Sequence, residues 1–368
     1  MSDKWLMQAA ADFEAARDVP VLEADAPARR LHGHSFRARV RAALPSGYGG
    51  VEGCEANSLQ AALADGVRPL DYRYLNDLVE LPTDENLARW LRDRLAGELD
   101  LPGIRQVGIA STRQQGVDLD DRGEAHVWRR FQFEAAHQLP NVAPGHQCGR
   151  MHGHGFVVIL HANVSLADEA ALATRYEQLE RAWQPLQQQL DHACLNDIEG
   201  LENPTSEMLC QWLWQRLKPQ LATLSWVTVY ETRTAGAHYD GMHYRIWKER
   251  RFESALRLDL PKDDQRSALH GHSYLVRLHL NAPLDDVLGW TVDYGDVKTA
   301  FEPAYRQLDH HLLNDLEGMG SPTPRAVLRW MRQQTQEALP AMDRIDLFET
   351  DDCGTMLSWG DLGPALPA

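Results

Sequence analysis

Three copies of one pattern constrain this chain more than any other feature. The tripeptide HGH stands at 32–34, 152–154 and 270–272. YLND, CLND and LLND place an Asn at 76, 196 and 314. LPTDENLARWL, NPTSEMLCQWL and SPTPRAVLRWM follow in turn. Upstream, FEAA occurs at 13–16 and 133–136, and FESA at 252–255. Four landmarks in one order, three times, at nearly constant spacing, define a triplicated unit of about 120 residues. The expected units are 1–120, 121–245 and 246–368.

Each unit reads alike. An apolar, partly alternating strand precedes HGH, as in VWRRFQFEAA at 127–136. A second follows it, as in FVVILHANV at 156–164. Residues 167–190, rich in Ala, Glu, Gln and Leu, read as a helix. A second helix opens near PTSEMLCQWLWQRL, with Thr205 as its N-cap. The strand SWVTVYETR, 225–233, closes the unit. This β-β-α-α-β order predicts an α+β fold, an antiparallel sheet with two helices on one face.

Composition narrows the function. The 368 residues carry a formal charge of −16, with 43% hydrophobic and 24% charged residues. Such a chain repels nucleic acid unless it carries a basic patch, and Arg/Lys clusters are short, such as KERR at 248–251. No apolar run is long enough to span a membrane. The N-terminus MSDKWLMQAA lacks a signal-peptide pattern, so a cytoplasmic location is expected. The five cysteines (54, 148, 194, 210, 353) are scattered and odd in number. They suggest no disulfide framework and leave room for one reactive thiol. A small-molecule substrate or a protein partner is expected.

The middle unit holds the chemistry. Alternate side chains of a strand share a face, so His152 and His154 point the same way. His137 ends the preceding strand. Three histidines with an open fourth position are the pattern of a catalytic zinc. Cys148 lies just ahead of the pair. Near a cation its thiol ionises readily, which makes it a general base; the alternatives are a fourth ligand or an ordinary loop cysteine. In LDHACLND, Asp191 stands beside His192 and is placed to orient it. Glu231 ends an apolar strand. It is either solvated, paired with an arginine, or bound to the N–H edge of a heterocycle.

FEAAH, C-x3-H-G-H, LDHxxLND, NPT and ET together resemble the 6-pyruvoyltetrahydropterin synthase/6-carboxytetrahydropterin synthase family. The resemblance covers roughly 125–245 and, in degenerate form, both flanking units. The three-residue spacing between Cys148 and HGH is similar to that of the bacterial 6-carboxytetrahydropterin synthases of queuosine biosynthesis. The resemblance implies the tunnelling fold, with three units closing a pseudo-trimeric barrel and two rings stacking head to head, here as a homodimer. It implies Zn2+ on His137, His152 and His154, with Cys148 as proton acceptor. The Asp191–His192 pair becomes the relay and Glu231 the pterin anchor. The implied substrate is 7,8-dihydroneopterin triphosphate. The implied products are 6-carboxytetrahydropterin, acetaldehyde and triphosphate, with no redox cofactor.

The flanking units depart from this pattern. Unit one has Arg17, Ala28, Tyr72 and Ser111 in place of His137, Cys148, His192 and Glu231. Unit three has Leu256 for the third histidine and Arg266 for the cysteine. Neither is expected to hold a catalytic zinc, since a guanidinium cannot ligate. Unit three nevertheless keeps Asp309, His310 and Glu349. One complete site per chain is therefore expected, with its dyad, and either Glu231 or Glu349 as anchor, drawn from unit two or unit three. Two other readings are triphosphate elimination of the 6-pyruvoyltetrahydropterin synthase type, and a non-catalytic pterin-binding scaffold.

Overall fold

The computed structural model describes residues 3–22, 26–164 and 175–360. The first repeat runs β1 (Lys4–Arg17), β2 (His32–Ala42), α1 (Glu55–Val67), β3 (Arg73–Tyr74), α2 (Asp84–Gly97), β4 (Ile104–Thr112) and β5 (Gln115–Asp120). The second runs β6 (Ala125–His137), β7 (His152–Val164), α3 (Arg175–Leu190), β8 (Ala193–Cys194), α4 (Ser206–Leu217), β9 (Leu224–Thr232) and β10 (Ala235–Tyr239). The third runs β11 (Tyr244–Leu256), β12 (His270–Leu280), α5 (Tyr294–Leu308), β13 (His311–Leu312), α6 (Pro324–Thr335), β14 (Met342–Thr350) and β15 (Cys353–Ser358). Helix α3 begins at Arg175; the first part of the helix expected over 167–190 lies outside the described residues. Thr205 caps α4 as expected, its Oγ1 accepting from the Met208 N–H at 3.2 Å.

Each repeat ends in a strand that the sequence pattern does not announce. β5, β10 and β15 pair back on the preceding strand and also with the first strand of the next repeat. The pairing of β10 with β11 closes the circle, giving a barrel of twelve antiparallel strands. AGAHY at 235–239 shows neither alternation nor β-branching, so its pattern marks no strand. Gly236 sits there because a Cβ would meet the Val229 carbonyl oxygen at 2.2 Å and the Trp247 ring at 2.4 Å. Edge strands that would otherwise invite aggregation are thereby consumed in joining repeats.

The helices cover one face of this sheet. Between them lies an apolar layer that includes Leu59, Leu63, Leu87, Leu91, Leu209, Leu213, Phe301 and Leu328. Stacked rings recur at matching places: Phe13–Phe36, Phe133–Phe156 and Phe252–Tyr274. The opposite strand face is buried but polar. Arg41 donates to Gln8 and Gln106, both at 2.7 Å. Arg344 grips Asp346 through two bonds of 2.6 Å, and His279 reaches the same carboxylate at 3.0 Å. Thr228 joins His161 to His238. Paired groups of this kind tolerate burial where isolated ones would not.

This interior predicts an acid limit. Burial pushes His161 and His238 well below the ordinary value, and burial with the Arg344 charge pushes His279 down to about 3. They are neutral when folded, so their stability contribution is complete above about pH 6.5 and drains as pH falls below it. Burial raises Glu85, Glu207 and Glu349 to about 7, which opposes this between pH 7 and 4.5. Below about pH 4.5 the histidines are joined by carboxylates held below the ordinary range, Asp264 by Arg266 and Asp346 by Arg344, whose contribution to stability is lost in the same direction. Metal-stripped protein should therefore show a thermal midpoint that changes little from pH 7 to 4.5 and drops steeply below. A midpoint still flat at about pH 3.5 would contradict the buried neutral histidines.

Candidate functional site

The register of β6 against β7 sets His137 opposite His152, and His154 follows on the same face. Gly153 allows this close pairing, since a Cβ there would stand 3.3 Å from the Ala135 carbonyl oxygen. The ring centroids of His137, His152 and His154 lie 4.5 to 5.2 Å apart. His137 Nδ1 donates to Pro204 O at 3.0 Å, and His152 Nδ1 to Arg150 O at 2.8 Å. Each bond leaves Nε2 with a free lone pair, the arrangement by which proteins orient imidazole ligands. His137 Nε2 and His154 Nε2 are buried without a hydrogen-bond partner. Burial lowers both pKa values, so both rings are neutral and ready to ligate. Ligand atoms of the three histidines and Glu231 all lie within 4.8 Å of one another. This donor set fits a divalent cation of the zinc type. A second group with that spacing, Asp120, Glu124 and His126, lies at the β5–β6 turn. There Asp120 already caps the turn, accepting from the N–H groups of Arg122 and Glu124.

The histidines open into a cavity of about 630 Å³ between the second and third repeats. From the second repeat it takes Cys148, His152, His154, Ser206, Glu207 and Glu231; from the third, Lys248, Trp290, Asp293, Tyr294 and Lys298. Glu231 Oε1 is 3.5 Å from His154 Nε2, and Oε2 accepts from Ser206 Oγ at 2.6 Å. Glu207 accepts from the Thr291 N–H and hydroxyl at 2.8 and 3.1 Å. Cys148 is held by a bond from its N–H to His146 Nδ1, and His146 Nε2 is 3.3 Å from Asp293. Burial, then Glu231 and Asp293, push the Cys148 thiol up, so its ionisation requires a nearby cation.

The dyads stand elsewhere. His192 and His310 have left-handed backbones, φ 57° and 59°, and so does Tyr72 at φ 53°. Each of these N–H groups bonds a β-strand carbonyl at 2.6 Å: Glu134, Glu253 and Glu14 respectively. His192 Nδ1 is 3.1 Å from Asp191, and His310 Nδ1 is 3.1 Å from Asp309. Both imidazoles are more than three-quarters exposed, and neither lines the cavity. His192 lines a separate shallow groove that also touches His154. Glu349 lies 3.7 Å from His272, in its own repeat. The third repeat thus meets the cavity through β11, the start of α5 and the loop before it.

The first repeat shows what replaces a metal. Arg17 Nη1 donates to Pro82 O at 2.8 Å, as His137 does to Pro204, and to Asp84 at 2.7 Å. Asp84 also accepts from Ser111 and from Tyr176 of α3, each at 2.7 Å. Burial and the Arg17 charge hold His34 at about 4. In the third repeat Leu256 is buried at the matching register, opposite His270.

Sequence reasoning did not single out Glu207, Lys248, Asp293, Tyr294 or Lys298. Glu207 carried a signal, since it stands two residues after the NPT landmark, in the first turn that Thr205 caps. The others carried none, because nothing local says which helix covers which strand pair.

Comparison with known proteins agrees with this architecture. The sequence model of the family 6-pyruvoyl tetrahydropterin synthase matches residues 7–121, 126–242 and 245–358. The 6-carboxy-5,6,7,8-tetrahydropterin synthase of Synechocystis is 36% identical over 119 residues, 31% of this chain and 91% of that protein. The dihydroneopterin monophosphate aldolase of Pyrococcus furiosus is 30% identical over 115 residues, 30% of this chain and 92% of that protein. The structure of 6-pyruvoyl tetrahydropterin synthase from Caenorhabditis elegans aligns with a TM-score of 0.29 and 19% identity, over 30% of this chain and 92% of that one. With three successive matches covering nearly its whole length, the chain belongs to the 6-pyruvoyl tetrahydropterin synthase family.

Proposed function

We propose that the protein is a zinc-dependent 6-carboxytetrahydropterin synthase acting on 7,8-dihydroneopterin triphosphate, with one catalytic site per chain. The observation that carries this reading is that a cluster of three imidazoles, two of which line one cavity, meets a thiol and two carboxylates there. His137, His152 and His154 would hold the metal. When bound, it supplies Lewis-acid stabilisation of oxygen charge and favours the Cys148 thiolate. Glu231, held by Ser206, and Glu207, held by Thr291, offer acceptors for the N–H edge of a pterin. Cys148 takes a proton from the substrate side chain. Side-chain cleavage with loss of triphosphate and uptake of one water gives 6-carboxytetrahydropterin and acetaldehyde. Incubation with 7,8-dihydroneopterin triphosphate and zinc, followed by mass spectrometry, tests this. A 6-pyruvoyl product would reassign the chemistry to elimination alone, and an unchanged substrate would favour the scaffold.

The working form is a cytoplasmic homodimer of two stacked rings. No helix among the described residues is long and apolar enough to cross a membrane. Leu31, Met151 and Leu269 occupy matching positions just before each HGH and are 69%, 53% and 67% exposed. Apolar side chains repeated around one rim suit a second copy. That rim also carries both Asp–His dyads, so a stacked ring can present one to a cavity that its own chain leaves without it. We assign this to Asp309–His310, retained in a repeat that has no third histidine. His310→Ala should lower turnover about 10²-fold, and His192→Ala far less. Unchanged turnover after loss of His310 refutes the assignment.

A further inference from the structure

The second-repeat wall of the cavity is accounted for by metal ligands and carboxylate anchors, but the cations of the opposite wall are not. Lys248 of β11 and Lys298 of α5 both line the cavity. Lys248 Nζ donates to Thr234 Oγ1 at 3.3 Å and lies 6.0 Å from the Tyr294 ring. Neither ammonium has an ion-pair partner among the described residues. The neighbouring acids are already engaged: Glu207 by Thr291, Glu231 by Ser206, and Asp293 as the N-cap of α5. Burial and the Lys298 charge lower the Lys248 pKa. Two like charges facing one half-buried space are unfavourable until an anion joins them.

The other repeats show that this pairing is not required by the fold. Counting back from the end of each first strand, Lys248 corresponds to Arg129 and Ala9. Counting back from Asp309, Asp191 and Asp71, Lys298 corresponds to Glu180 and Gln60. Arg129 and Glu180 form a salt bridge of 2.5 Å, so that interface neutralises itself. Ala9 and Gln60 carry no charge. Only the interface that holds the three histidines places two unpaired cations at these positions.

We propose that Lys248 and Lys298 bind the phosphate tail of the substrate. The second repeat then reads the heterocycle, and the third reads the phosphate. This inference rests on the phosphorylated-substrate reading above. Ammonium groups act here as point charges on a mobile polyphosphate. In the same place they stabilise the departing anion.

Calorimetric titration of the full chain with inorganic tripolyphosphate tests the proposal directly. The wild type should bind saturably, and more weakly as salt rises. Lys298→Met should weaken binding about tenfold, and the double variant Lys248→Met/Lys298→Met more, with Lys298→Arg restoring most of it. His152→Ala should keep the binding, which separates the lysines from a bound metal. Absence of binding by the wild type, or wild-type affinity in the double variant, overturns the proposal. In turnover, the lysine variants should raise KM more than they lower kcat. Lysine-dependent binding without turnover of 7,8-dihydroneopterin triphosphate would leave the phosphate site standing and remove the catalytic reading.

Discussion

Cys148→Ala should keep about one zinc per chain and lose turnover by about three orders of magnitude, the middle of the range for removing a positioned proton acceptor. The thiol lines the cavity but is not part of the four-residue ligand cluster. Its N–H bond to His146 is a backbone contact that the substitution leaves intact. Metal retention with lost activity therefore separates a base from a ligand. Loss of metal together with activity would make Cys148 the fourth ligand. Retained activity would leave it an ordinary loop cysteine and sink the proposed chemistry.

His152→Ala should lose the metal itself. His152 Nδ1 is committed to the Arg150 carbonyl, so Nε2 is its only free donor. Removing just an outer partner of a metal ligand typically costs 10- to 100-fold in affinity, and removing the ligand should cost at least about 100-fold. Zinc content after gel filtration should fall from near one per chain to near zero, and activity with it. The fold should survive, because His152 is partly exposed and Phe156, the nearest buried ring on that strand face, stacks on Phe133 instead. Thermal stabilisation by added zinc should vanish in the variant, since only a ligand that binds the folded state shifts the midpoint. A variant that keeps stoichiometric zinc would show that these histidines do not form the site.

Much of this was legible in the residues. The i, i+2 spacing of His152 and His154 forces a shared face in any strand, and the strand-end position of His137 follows from antiparallel pairing. Thr205 was readable as a cap because capping is local. The joining strands β5, β10 and β15 were not: each is only five or six residues long, and β10 lacks both alternation and β-branched residues. Glu349 illustrates the same limit. It has the identity of an anchor, but its repeat turns it toward His272 rather than toward the three histidines.

Local pattern and repetition by themselves determined that three related α+β units exist and that only the middle one retains three imidazoles and a thiol. Those properties depend on residue type and on the strand period. Only the tertiary structure decided that Lys248, Asp293, Tyr294 and Lys298 complete the cavity, that Arg17 and Asp84 form an ion pair where the second repeat has a ligand, and that both dyads stand outside the cavity. The cavity depends on the β10–β11 pairing, which sets the third repeat beside the second, whereas the ion pair and the dyads depend on packing within a repeat. That pairing sets the start of the third repeat's helix α5 against the second repeat, bringing together residues such as Glu207 and Thr291, 84 positions apart, which no local spacing encodes.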